Sequence, residues 1–427
     1  MTRITELNWG FVEILQLISI FITVLLITLI IMPRLITYLK NKGIYGFDIH
    51  KNNRPKVAES GGIGLLIGVS VGSVLMLIFF PMYLNEILVF LFTVLVAGLI
   101  GLIDDRIKLR SRYKILLTLF TGLILLFANF FNLISIKSPT LPFLGFTRLT
   151  IIYPLLIPLI VAVFANTCNM LEGYNGEGSG TILIAAGFLF FCALLWNSMM
   201  GFLFLIVIIA VLIPFYKYNR YPSKVFPGDV GTLSMGAMLA CVAILGSLEV
   251  PVFCAILVHI FNSFYVISSV RGFFESSEIM EEKDDIILLE NDKIKASYER
   301  NAAMTLPRLI LAKGPLSEPE LVRNFYAISI ICGFFSLIAT LFMVWTMGNL
   351  NINIIIVTLI IMAIPTVLIL YKFPRIRGIV SIMIFFLVFS SLFIILIDVY
   401  VMDLDFAPIN LILISIPINI LFSFMLY

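Results

Sequence analysis

Residues 11–32 read FVEILQLISIFITVLLITLIIM, an apolar run whose one charge, Glu13, falls at the third position. At 1.5 Å of rise per residue a helix of this length covers roughly 33 Å, enough to cross the hydrocarbon core of a bilayer. The run is too long for the core of a signal peptide and no A-x-A cleavage pattern follows it, so it is expected to remain as a first span. Comparable runs recur near 61–80, 86–103, 115–136, 151–168, 181–196, 199–216, 231–248, 250–270, 324–347, 353–371, 379–397 and 406–427, thirteen in all. The separations at 196–198 and 246–250 leave room only for tight turns. The composition of the 427 residues agrees, with 61% hydrophobic and 12% charged against about 45–50% and about 25% in soluble domains. A water-soluble multidomain enzyme is excluded, and 38 Phe with 15 Tyr exclude a solvated, disordered chain. The fold class is therefore all-α, a polytopic integral membrane protein.

The net charge of +3 gives no ground for a nucleic-acid partner. Cys168, Cys192, Cys241, Cys254 and Cys332 are widely spaced in or beside apolar runs, which suits small buried residues rather than a zinc site or a disulfide framework. With the N-terminus outside, the loops at 34–56, 106–114, 217–224, 271–323 and 372–377 share one face and hold 25 of the 28 Lys and Arg. The positive-inside rule makes that face cytoplasmic. The loop at 271–323 also carries eleven acidic residues. It is expected to form a small cytoplasmic element with some helix or strand, either a solvated cover or a lid over substrate.

Four segments on this face hold polar residues that a helix bundle does not require. Gly46–Gly62 joins Asp48, His50, Lys51, Arg54 and Glu59 to a Gly pair where the second span begins. Asp104 and Asp105 end the third span and are followed by five basic residues up to Lys114. Adjacent carboxylates at a membrane boundary repel one another, and a divalent cation or a cationic run relieves the repulsion. Mg²⁺ commonly takes one or two carboxylates and completes its shell with water and phosphate oxygens. Asn166–Gly180 gathers Asn169, Glu172, Asn175 and Glu177 among glycines that let backbone approach a ligand. Val225–Gly231 puts Asp229 at the start of the eighth span, where it also has the character of a helix cap. None of these carboxylates lies at mid-membrane, where coupled transporters keep theirs. His259, near a span centre, is expected to bond to a neighbouring helix.

In order and spacing these segments resemble the polyprenyl-phosphate N-acetylhexosamine-1-phosphate transferases, and within them the dolichyl-phosphate GlcNAc-1-phosphotransferases. The family patterns D-x-N-K…R-P…P-E-S-x-G, D-D-x-x-x-L-R…K, N-x-x-N-x-x-x-G-x-N-G and F-x-G-D correspond to Gly46–Gly62, Asp104–Lys114, Asn166–Gly180 and Phe226–Asp229. Met304–Glu318 resembles a stretch before the last span of eukaryotic members. The resemblance implies a ten-helix core over 1–347, with 348–427 as additional helices. It implies a cytoplasmic site for UDP-GlcNAc and dolichyl or another polyprenyl phosphate, with Mg²⁺ as cofactor. Asp229 and Asn169 would hold the metal, Asp104, Asp105 and Lys114 would be catalytic, and Glu59, Asn175, Phe226, Arg54 and Lys51 would bind substrate. A homodimer is compatible with the resemblance.

The chain departs from the pattern in places. His50 stands where the family often has Asn, and Lys108 adds a charge beside the Asp pair. The Arg-His-Arg-Ile-Pro run that grips the sugar nucleotide in eukaryotic members is replaced by Arg271-Gly-Phe-Phe-Glu-Ser-Ser-Glu, leaving Arg271, Arg300 and Arg308 as candidates for that role. The absent run and the Ile-rich composition point to an archaeal plasma membrane. The expected reaction is transfer of GlcNAc-1-phosphate to dolichyl phosphate with release of UMP, opening the assembly of lipid-linked oligosaccharide for N-glycosylation. The alternatives are another UDP-N-acetylhexosamine with an undecaprenyl-type acceptor, and a membrane transporter. An intramembrane aspartyl protease would want G-x-G-D, and position 226 is Phe.

Overall fold

The computed structural model describes residues 3–6, 10–146, 149–270, 284–299 and 301–401. Twelve of the thirteen expected spans fall within these residues, and 406–427 lies outside them. In chain order the long helices are α1 (Phe11–Asn41), α2 (Gly62–Phe79), α3 (Leu84–Ile107), α4 (Ser111–Phe130), α5 (Ile152–Leu171), α6 (Glu177–Leu195), α7 (Met199–Asn219) and α8 (Gly228–Gly246). The ninth run forms two helices, α9 (Glu249–Ala255) and α10 (Leu257–Val270), bent by 69° from one another. After the short α11 (Leu306–Leu311) come α12 (Glu318–Thr346), α13 (Ile352–Lys372) and α14 (Arg377–Val401). Eleven described helices are long and apolar enough to cross a membrane. The chain is a multi-pass, all-α membrane protein.

Burial sorts these helices into layers. The spanning window of α8 is 83% buried and that of α7 is 78%, whereas α1 and α13 bury 17% and 6% of theirs. Helix α8 is rich in Gly, Ala, Ser and Thr, small residues that let helices approach where lipid tails supply no hydrophobic drive. It packs against α3, α5, α7 and α2, and so lies at the centre of the bundle. The Ile and Val side chains of α13, among them Ile360, Ile361 and Val367, face outward, as a lipid-contacting helix requires. All five cysteines are buried and unpaired, as expected. His259 Nε2 lies 3.1 Å from Thr181 Oγ1 of α6, the helix-to-helix bond expected of it.

Hydrogen bonds gather the polar inter-helix segments at one end of the bundle. The first loop forms a hairpin, β1 (Tyr45–Phe47) with β2 (Lys56–Ala58), and Phe226 N donates to Ala58 O at 2.8 Å. Gly61 N and Gly62 N donate to Phe226 O and Pro227 O, both at 2.9 Å, seating the segment before α8 on the loop before α2. The charged stretch after α10 is an element with strand and helix, as expected. Its described residues form the antiparallel sheet of β5 (Ile286–Leu288), β6 (Lys293–Ala296) and β7 (Leu316–Ser317), closed by α11. Asn52 of the first loop grips the β5–β6 turn, its N donating to Asp292 Oδ1 at 2.8 Å and its Nδ2 to Leu289 O and Glu290 O. At the opposite end, β3 (Thr140–Leu141) and β4 (Gly145–Phe146) make a small hairpin whose Phe143 N donates to Thr346 Oγ1.

Candidate active site

One helix end and two helix starts meet at the loop-rich end of the bundle. Asp104 and Asp105 close α3, Lys114 sits in the first turn of α4, and Asp229 sits in the first turn of α8. Helix α3 comes this close because residue 101 is Gly: a Cβ there would lie 2.3 Å from Asp229 O. Before α8 the chain turns at Gly228 with φ of +65°, where any larger residue would be strained and its Cβ would meet Asp105 Oδ2 at 2.5 Å.

Lys114 is the hub. Its ammonium is ion-paired with Asp104 and donates to Asp229 Oδ2 at 2.6 Å. Asn169, near the end of α5, completes the cluster. With its amide oriented so that oxygen faces the ammonium and nitrogen faces the acceptors, Nδ2 donates to Asp229 Oδ1 at 3.0 Å and to Thr232 Oγ1 at 2.9 Å, while Oδ1 accepts from Lys114 Nζ at 3.1 Å. Asp104 is 4% exposed and also accepts from Leu109 N at 2.6 Å. Asp105 is used differently. Its Oδ2 accepts from Ser60 Oγ and its Oδ1 from Asp229 N, both at 2.7 Å, so it clamps the first loop to the start of α8. The adjacent carboxylates are thereby separated, Asp104 toward the ammonium and Asp105 toward backbone. Glu59 lies beside this pair, and burial first, then the charge of Asp105, raises its carboxyl above the usual range.

The family model of glycosyl transferase family 4 matches residues 87–247, the stretch that contains Asp104, Lys114, Asn169 and Asp229. A protein of Methanocaldococcus jannaschii, provisionally named a glycosyltransferase, is 33% identical over 302 residues, 70% of this chain and 88% of its own length. The chain belongs to glycosyl transferase family 4. A Sulfolobus acidocaldarius member, provisionally named UDP-N-acetylglucosamine–dolichyl-phosphate N-acetylglucosaminephosphotransferase, is 31% identical over 56% of this chain and 75% of its own. A phospho-N-acetylmuramoyl-pentapeptide-transferase of Streptococcus thermophilus is 30% identical over 51% and 68%. The glycosyl transferase family 4 protein is thus an enzyme of phosphoryl transfer, in a family of polyprenyl-phosphate hexosamine-1-phosphate transferases.

The other residues singled out from the sequence fall into two groups in this family 4 transferase. Phe226 lies near Gly46 of the first loop, with Glu59 on the same side. Lys51 and Asn175 belong instead to a cluster with Asp48, His50 and Glu318. Lys51 is ion-paired with Asp48 and rests 4.5 Å over the Tyr221 ring. Asn175 is 3% exposed, and its amide is committed to Asp48, Glu318 and Ser223 N. Burial lowers the His50 imidazole to about 4, so it is neutral at physiological pH. Arg54 is exposed near the turn of the first hairpin. Arg271 and Arg300 lie outside the described residues. Arg308 spends its guanidinium on the carbonyls of Ala302, Ala303, Ser297 and Glu299, so it braces the element after α10 and has little left for an anion.

Sequence reading missed two polar partners. Ser60 adjoins Glu59 and contacts Asp105, and Thr232 lies one helical turn after Asp229 and contacts Asn169. The spacing of three from Asp229 is the available signal for Thr232, since i and i+3 share a helix face.

Proposed function

We propose that this family 4 transferase moves GlcNAc-1-phosphate from UDP-GlcNAc to a dolichyl-type polyprenyl phosphate, giving GlcNAc-diphospho-dolichol and UMP. The observation that carries the reading is the convergence of Asp104, Asp229 and Asn169 on one cation, the Lys114 ammonium, at a membrane boundary. The name of the Sulfolobus acidocaldarius relative supplies the donor and acceptor. Oxygen donors from two carboxylates and an amide suit a hard cation such as Mg²⁺, and the ammonium among them already stands in a cation's place. Asp229 and Asn169 would hold that ion, with Asp104 beside them. Once bound, Mg²⁺ supplies charge relief to the diphosphate.

The acceptor phosphate has a second pKa near 6 and is mostly dianionic at neutral pH, so no strong general base is needed. One of its oxygens attacks the phosphorus that carries GlcNAc. A new oxygen–phosphorus bond forms, the bond to the bridging oxygen breaks, and UMP leaves with that oxygen. Lys114 neutralises the phosphoryl oxygens as charge gathers on them. Asp105 holds the start of α8 against the first loop and thereby positions Asp229. Glu59 and Phe226, with Lys51, Arg54 and Asn175 around the first loop, form the nucleotide-sugar side. Residues 1–347 make up the transferase core and 348–427 the additional helices. The bias of 25 basic residues in 28 supports a cell-membrane protein with the N-terminus outside and the site cytoplasmic.

The test is UMP release by purified protein given UDP-GlcNAc and dolichyl phosphate, with Mg²⁺ and EDTA arms. Mg²⁺-dependent release is expected, with loss in Asp229→Ala. Full activity of that variant overturns the metal assignment. The likeness to the Streptococcus enzyme favours, as a second reading, another UDP-N-acetylhexosamine and an undecaprenyl-type acceptor. A panel of donors and acceptors in the same assay separates the two.

A further inference from the structure

Apart from the Lys114 cluster, a second set of donors converges where the first loop meets the start of α12. Asp48, His50 and Glu318 each bring a ligand-competent atom to within 4.8 Å of the other two. Asp48 and Glu318 are both 2% exposed. Their inner oxygens are already bonded. Asn175 Nδ2 donates to Asp48 Oδ2 at 2.9 Å and to Glu318 Oε1 at 2.5 Å, and Asn175 N donates to Glu318 Oε1 at 2.7 Å. Glu318 Oε2 is different: it is buried and has no hydrogen-bond partner, and the Lys51 ammonium stops 4.0 Å short of it. Asp48 Oδ1 receives only a long bond, 3.3 Å, from His50 N among the described contacts. The His50 ring is held in place by stacking on Tyr174, with centroids 4.4 Å apart.

Charge makes the orphan oxygen significant. Two buried carboxylates face one ammonium, so a proton or a second cation must offset the remaining charge, which is costly in such a place. From the same position, paired with Asp48, the ammonium also lies 4.5 Å from the centre of the Tyr221 ring. The residue that changes the chemistry is His50, which stands where the resembling family often has Asn. Imidazole nitrogen beside carboxylate oxygen is the donor set of Zn²⁺ and related transition ions, whereas Mg²⁺ and Ca²⁺ want oxygen alone.

We propose that Asp48, His50 and Glu318 form a second divalent-metal site, for Zn²⁺ or another ion that takes imidazole, pinning the first loop to the start of α12. The site is separate from the Asp104–Asp229 cluster and does not depend on the reaction assigned to that cluster. Three protein ligands leave coordination positions for water. Lys51 competes with the ion for the same carboxylates, so its removal tightens binding.

The full chain in detergent, stripped with EDTA and passed through a desalting column, is equilibrated with Zn²⁺ in the presence of millimolar Mg²⁺. Bound zinc is then counted by mass spectrometry after gel filtration. About one zinc per chain is expected in the wild type and in Asp229→Ala. At least tenfold weaker binding is expected in His50→Asn and Glu318→Gln, and tighter binding in Lys51→Met. Lys51→Met keeps the test decisive if either loss variant elutes as an aggregate, because it predicts a gain. The proposal is overturned if the wild type binds no zinc, if His50→Asn binds zinc as tightly as the wild type, or if Lys51→Met binds it no more tightly. Zinc lost from Asp229→Ala but retained in His50→Asn also overturns it, by locating the ion at the first cluster.

Discussion

Replacing Gly101 by Ala tests whether the geometry around Lys114 depends on the close crossing of α3 and α8. The added Cβ would lie 2.3 Å from Asp229 O and 2.4 Å from Val230 N, whereas ordinary contact begins at 3.4 Å. These are backbone atoms in the first turn of α8 and cannot rotate aside, so one helix must move by about 1 Å, the size of the overlap. Overpacking of this kind costs about 1–3 kcal/mol of stability. The functional cost is larger. Asp229 Oδ2 is 2.6 Å from Lys114 Nζ and its Oδ1 is 3.0 Å from the Asn169 amide. A displacement of about 1 Å opens both contacts beyond hydrogen-bond length, and misplacement on that scale lowers turnover by about 10²-fold. The assay is UMP release at saturating substrate, normalised to monodisperse protein from gel filtration. The matched control is Gly187→Ala on α6, where an added Cβ meets nothing within 4 Å. Gly101→Ala is expected near about 1% of wild-type turnover, with the control within about twofold. Turnover above about a third of wild type in folded Gly101→Ala would refute the claim that this crossing sets the site.

The other predictions concern the surroundings of the cluster. Thr232→Val keeps the volume of the side chain but removes the oxygen that accepts from Asn169 Nδ2. The Mg²⁺ concentration for half-maximal activity should rise about 10-fold or more, as for other partners that orient a metal ligand; an unchanged Mg²⁺ titration would remove Thr232 from that role. Glu172 caps the start of α6 through Gly178 N at 2.8 Å, and burial pushes its carboxyl up to about 8 from 4.5. The folded protein therefore holds a proton there that the unfolded chain releases. Its contribution is full below about 4.5 and falls as pH rises to about 8, by at most about 1.4 kcal/mol per pH unit. Thermal stability in detergent should decline from pH 6 to pH 8, and Glu172→Gln should flatten the decline. A slope that persists in the variant assigns it to other groups.

The spans were legible because a bilayer demands a long apolar run whatever its neighbours do. Twelve described runs became helices, and the departure was the break at Ala255–Leu257, where no proline or glycine stands in the sequence. The four polar segments were legible because a membrane protein gains nothing from carboxylates at its boundary unless they are paired. Their pairing was not legible. Asp104 and Asp105 are neighbours in sequence, but successive residues on a helix point about 100° apart, so one reaches Lys114 of α4 and the other reaches Ser60 and the backbone of Asp229. Which of them faces the ammonium depends on how α3 is rotated against α8, and that is set by the packing of Gly101 against the backbone of Asp229 and Val230, which belong to a distant part of the chain. Asn175 shows the same limit, since its bonds to Asp48 and Glu318 span 127 and 143 residues.

The charged stretch after α10 was expected to be a cover or a lid, and its described residues are tied to the rest of the chain at both ends. Asn52 fastens the first loop to the β5–β6 turn with bonds to two carbonyls and a carboxylate. Strand β6 pairs with β7, which leads directly into α12 and its Glu318. Farther along, Arg375 of the α13–α14 turn donates to Ile310 O and Gly314 O, and Lys313 Nζ donates to Pro374 O. A run of hydrogen bonds thus joins the loop carrying Lys51 and Glu59 to the turn between α13 and α14. Those helices bury little of their own surface, and these polar ties, together with the buried Ile376 of their turn, hold that turn to the element after α10. The same ties resist withdrawal of the first loop from the start of α8, because moving that loop would break bonds at Ala58, Phe226 and Pro227 as well as at Asn52. An element anchored at both ends in this way is suited to holding a binding surface still, and any opening for substrate must come from residues outside this chain of contacts.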